Sequence, residues 1–137
     1  MTMPKLNSTA VAFAAGSGGG LATILTVWFC GLIGLTAAFG VAIKPPLAPA
    51  IIYNMVVWGG IFGFLFLLPV LRGSILLRGL LFGLAPSIVK CVIVFPLKDQ
   101  AGMLGMQLGL LTPVFVLIFN SVWGIVTAWL FVRARGE

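Results

Sequence analysis

Residues 9–43 read TAVAFAAGSGGGLATILTVWFCGLIGLTAAFGVAI, thirty-five consecutive positions without a charge. As one α-helix this stretch would be about 52 Å long at 1.5 Å per residue. That exceeds a bilayer hydrocarbon core of about 30 Å. Gly31, Gly34 and Gly40 are the natural points at which it divides into a spanning helix and a second, shorter piece. Lys44 and the consecutive Pro45 and Pro46 end it, because proline cannot continue the helical hydrogen-bond ladder.

The rest of the chain obeys the same solvent. Apolar residues are 61% of the 137, charged residues 7%, and the mean hydropathy is +1.24. A soluble chain would need about 25% charge to cover its surface. Reading outward from the first stretch gives four spans, at about 10–33, 49–71, 75–95 and 113–132. Pro49 suits a first helical turn, and Pro86 is expected to bend the third span. Residues 34–46 and 101–112 are apolar but too short to cross, and read as re-entrant or interfacial segments. The single early Lys5, followed by Ala- and Gly-rich sequence, reads as the lead-in to an uncleaved first span. The expected fold is an all-α, integral-membrane four-helix bundle forming a single transmembrane domain.

The chain also echoes itself at a spacing of 63 to 65 residues. Gly16-x-x-x-Gly20-Leu21-Ala22 returns as Gly79-x-x-x-Gly83-Leu84-Ala85, and Leu47-x-Pro49 as Leu111-x-Pro113. Val57-Trp58-Gly59 returns as Val122-Trp123-Gly124. The order is kept, so the four spans read as two duplicated helical hairpins of the same orientation, related about the membrane normal.

The residue inventory excludes much chemistry. Histidine is absent, and Asp99 and Glu137 are the only acidic side chains. No paired acids are present for general acid–base work, and no imidazole for a metal or haem. Cys30 and Cys91 lie inside apolar stretches, far from any CxxC spacing, and read as small hydrophobes. The expectation is a protein that is not an enzyme and carries no cofactor. A net charge of +6 would suggest nucleic acid in a soluble domain, but here the basic residues flank apolar spans. They read as topology signals and contacts for anionic lipid, with no nucleic-acid partner. Lys5, Arg72, Arg78, Arg133 and Arg135 share one side, and Lys44 and Lys98 the other; five against two puts both termini in the cytoplasm.

Three sets of residues are candidates for function. Gly16/Gly20, Gly59/Gly63 and Gly79/Gly83 have the small-xxx-small spacing that lets helix backbones approach, either within the chain or against a docked partner. Lys90 is the one charge well inside a span. With Arg72 and Arg78 it is expected to reach lipid head groups or a partner's acid. Asn54 and Asn120 are expected to make interhelical hydrogen bonds. A sparse polar set of Asn54, Asn120, Thr23, Thr26, Thr127 and Lys90 would instead suit a pore.

From residue 50 to 132 the chain resembles small bacterial inner-membrane proteins of the YagU-like type. The shared pattern is Gly79-x-x-x-Gly83, an apolar run to Phe95-Pro96-Leu97, a Gly-rich linker, and an aromatic helix holding Trp123-Gly124. The family tends to carry His where Asn120 stands, so any role of that His is missing here. The resemblance implies a multi-pass helical protein of the bacterial inner membrane and assigns no activity. The leading expectation is a non-catalytic accessory or structural subunit. It would dock through Gly-rich faces to a larger membrane complex or to itself, with membrane lipids as further partners. The alternative is a small oligomeric transporter or channel.

Overall fold

The computed structural model describes residues 7–71 and 73–135, and they are helical with no strand among them. Helix α1 covers Ser8–Leu32, with the Asn7 side chain accepting the Thr9 N–H at 2.8 Å as its N-cap. A single turn, α2, covers Leu35–Ala38. Helix α3 covers Pro49–Gly63, with proline in its first turn, and tightens into a 3-10 turn over Phe64–Leu67. Helix α4 covers Ile75–Val89, capped by Ser74, whose hydroxyl accepts the Leu77 N–H at 3.2 Å. It widens into a π-helical stretch over Lys90–Lys98. After a 3-10 segment at Met103–Leu108, α5 covers Thr112–Ala134.

Among the described residues four helices are long and apolar enough to cross a membrane: Ser8–Leu32, Pro49–Leu67, Ile75–Lys98 and Thr112–Ala134. The expected spans match these to within a few residues, save that the second stops at Leu67 rather than Leu71. Leu68 turns extended (ψ 129°) because it precedes Pro69, whose ring disfavours a helical residue before it. In the third span the α-helix runs through Pro86 to Val89, and the ladder widens where Pro96 removes a donor.

The helices neighbour one another in the order α3, α1, α5, α4, with α1 the most buried. What holds each hairpin closed is backbone on backbone. A Cβ at Gly16 would collide with the Gly59 carbonyl, and one at Gly124 with the Gly79 carbonyl. One helical turn further on, Gly20 faces Met55–Val56 and Gly83 faces Asn120–Ser121. These pairs are related by the same offsets as the sequence repeat, so the two hairpins cross in the same way. Between the hairpins, Gly19 of α1 admits Trp123 and Thr127 of α5. The Trp123 Nε1–H donates to the Gly16 carbonyl at 3.1 Å.

The core at this crossing is aromatic. Phe66 is fully buried at the centre, its ring 4.8 Å from that of Phe82 and 6.0 Å from that of Trp123, both edge-on. At the other end of the bundle the two linkers meet. The Ala42 N–H donates to the Leu108 carbonyl at 2.8 Å, and Val41 packs into a cluster with Val27, Phe115 and Phe119. Gly105, at φ 70°, sits where a side chain would strike the Phe95 ring and the Thr112 methyl. The segments 34–46 and 101–112 are thus folded onto the bundle end and onto each other.

Gly16→Ala and Gly124→Ala should each destabilise the purified protein by about 3 kcal/mol or more, since a backbone oxygen cannot give way to the added methyl. Gly73→Ala, where nothing lies within 4 Å of the new atom, should unfold at the wild-type temperature. Thermal unfolding in mild detergent checks all three, and equal loss in the Gly73 variant would refute the close-contact account.

Candidate functional site

The six glycines considered for packing or docking all pack inside the chain. Gly16, Gly20, Gly59 and Gly63 close the α1–α3 hairpin, and Gly79 and Gly83 close α4 on α5. All are buried, so the Gly-rich faces are occupied by the protein's own helices.

Arg78 is not on a lipid-facing surface as expected. It is buried at 4% exposure, its Nη2 donating to the Phe66 carbonyl and, at 3.1 Å, to the Leu68 carbonyl. The guanidinium also lies 5.3 Å from the Phe66 ring centre, 5.8 Å from that of Phe82 and 5.4 Å from that of Phe131. The reason is the early stop of α3. Carbonyls at a helix end have no partner in the ladder, and one nitrogen of the planar guanidinium fork, Nη2, reaches two of them while the fork's faces stack on rings. Arg72 lies outside the described residues.

Lys90 does find a carboxylate within the chain. Its Nζ is 3.4 Å from Asp99 Oδ2 and lies 4.9 Å from the Phe95 ring centre. Asp99 is outside the span in sequence, but the wide turns of Lys90–Lys98 bring the two together. Both side chains are about two-fifths exposed, so the pair is a modest contributor. Among the described basic residues, Arg78, Arg133 and Arg135 cluster at one end, where Phe131 and Trp129 take their cations. Lys44, Lys90 and Lys98 belong to the opposite end, beside the linkers.

The two asparagines do not behave as expected. Neither side chain makes a hydrogen bond to any described residue. The Asn120 backbone faces Gly83, with its side chain half-buried. Asn54 is exposed, on the face of α3 turned away from α1. Its depth follows from its neighbour: Met55 touches Gly20, the midpoint of the 25-residue α1. That is level with the middle of α1, while along its own helix Asn54 lies five residues in, roughly 8 Å from Pro49 at 1.5 Å per residue. Tyr53, Val57, Trp58 and Ile61 share this face and are 41–70% exposed.

The remaining polar candidates do not form one stripe. The Thr23 hydroxyl donates to Gly19 O at 2.7 Å and that of Thr26 to Ala22 O at 2.8 Å, each returning to its own helix. Thr127 is fully buried against Gly19. No cluster of three or more metal-ligating side chains occurs among the described residues. Sequence reasoning missed the Trp123–Gly16 bond. Its signal was present in the unequal repeat, because Gly19 corresponds to Phe82 and only glycine leaves room for the indole.

No family model, curated protein or solved structure matches the chain.

Arg78→Ala should lower stability by about 2–4 kcal/mol, since one buried and one part-buried carbonyl lose a charged donor. Arg78→Lys should recover part of this, as an ammonium lacks the fork. A double-mutant cycle on Lys90→Gln and Asp99→Asn should return a coupling of about 0.2–1 kcal/mol, as for exposed pairs. Denaturation in detergent reads both; an Arg78→Ala variant as stable as wild type would contradict the capping role.

Proposed function

We propose that the chain is a non-catalytic accessory or structural subunit of a larger membrane assembly, docked through the outer face of α3. The observation that carries this reading is Asn54. Exposed apolar side chains are ordinary on any helix facing lipid and argue for nothing by themselves. A carboxamide inside a membrane-crossing helix, with no hydrogen-bond partner among the described residues, is different, because hydrocarbon offers its donors and acceptors nothing. A polar group on a neighbouring helix would satisfy it. Tyr53, Val57, Trp58 and Ile61 around it supply broad contact area with few rotatable bonds. Docking therefore runs through α3 and its amide, not through the glycines, which are already in use.

The inventory supports a non-catalytic role, since histidine is absent and the acidic side chains number two. The setting we propose is the bacterial inner membrane, in keeping with the YagU-like resemblance, with membrane lipids around the remaining faces. Both termini are assigned to the cytoplasm, on the side of Arg78, Arg133 and Arg135, by the preference of arginine and lysine for that side.

Native membranes solubilised in mild detergent and resolved on a native gel test the proposal. The chain should migrate within a much larger assembly whose other components are identified by mass spectrometry. Asn54→Val should shift it toward the free form, weakening association roughly three- to thirty-fold, with unfolding temperature unchanged. Migration of the wild-type chain alone, or an assembly indifferent to Asn54→Val, would overturn the reading.

A further inference from the structure

At the end of the bundle away from the chain termini, a cavity of about 210 Å³ opens between α1 and the linker that follows it. Its lining is Trp28, Leu32, Lys44, Pro45 and Pro46. Leu32 is the last residue of α1, so the cavity lies where the span gives way to the membrane–water boundary. Three features bear on what it could hold. The Lys44 stem lies along the α1 backbone at Gly31, where an added Cβ would come within 3.1 Å of Lys44 Cγ. Its ammonium makes no ion pair with any described residue, unlike Lys90, which has Asp99. The Trp28 indole N–H likewise has no acceptor among the described residues.

One side of the lining therefore carries a positive charge, on the exposed Lys44, and the single N–H donor of the half-buried Trp28. The other, Leu32 with the two prolines, is apolar and carries no N–H of its own at Pro45 and Pro46. We propose that this cavity seats the head group of an anionic phospholipid. The phosphodiester would lie against Lys44 and Trp28, with its glycerol end along Leu32, Pro45 and Pro46. A zwitterionic lipid would fit less well, since its own cation would fall beside the lysine. Free phosphate would supply the charge but leave the apolar wall unused.

Native mass spectrometry of the purified protein, titrated in detergent with phosphatidylglycerol, phosphatidylcholine or inorganic phosphate, tests this. Phosphatidylglycerol should bind in preference to phosphatidylcholine, and inorganic phosphate should not displace it. Lys44→Gln should weaken phosphatidylglycerol binding about five-fold, the worth of one basic residue at an anionic surface. Lys44→Arg, with the charge kept, should bind as wild type. Trp28→Phe, which removes the donor and keeps a ring, should weaken it roughly three- to tenfold. Equal retention of the two lipids, displacement by inorganic phosphate, or a Lys44→Arg variant that elutes as wild type but binds no better than Lys44→Gln would each overturn the proposal.

Discussion

The whole bundle depends on how closely two helix backbones can approach at a glycine. In lipid there is no hydrophobic drive to bring helices together, so van der Waals contact must do most of it. Contact between backbones needs residues without a Cβ. Gly16 against Gly59 and Gly79 against Gly124 meet that need with main chain touching main chain. Everything else is arranged around these two crossings. The aromatic cluster at Phe66 fills the space that opens as the helices diverge, and Arg78 closes the carbonyls where α3 stops short.

The duplication accounts for the hairpins but not for how they join. If the two halves were fully symmetric, α4 would receive α3 as α1 receives α5. The counterparts of Gly19 and Thr127 are Phe82 and Phe62, and two phenyl groups cannot occupy the space of a glycine and a threonine. The outer helices therefore meet at the Phe66 end, and Trp58 remains 52% exposed where its counterpart Trp123 is 3% exposed. Two small-to-large differences between the repeats thus leave one face of α3 open. The exposed amide of Asn54 lies on that face.

The sequence made the architecture readable because span length, proline positions and glycine spacing are local signals of the bilayer. Ser8–Leu32 and Thr112–Ala134 could be located from uncharged length together with the glycines and prolines that divide it. Side-chain partners were less legible. Arg78 looked like a surface cation, since nothing local announces that α3 ends early and leaves carbonyls within its reach. Asp99 lies outside the third span in sequence, and nothing local announces the π-helical turns that bring it beside Lys90. Asn54 and Asn120 lie one residue out of step in the repeat, so the Asn120 backbone falls against Gly83 while Asn54 turns outward.

The bond from the Trp123 indole to the Gly16 carbonyl joins residues 107 positions apart. In a chain that enters the membrane from its N-terminus, α1 is in place long before α5 is made. Its Gly16–Gly20 side then holds α3 on one flank while the other flank, around Gly19, faces lipid. Assembly of this protein is therefore a matter of two self-contained hairpins and a late lock. The helix that waits longest for its final neighbour is the one at the centre of the finished bundle.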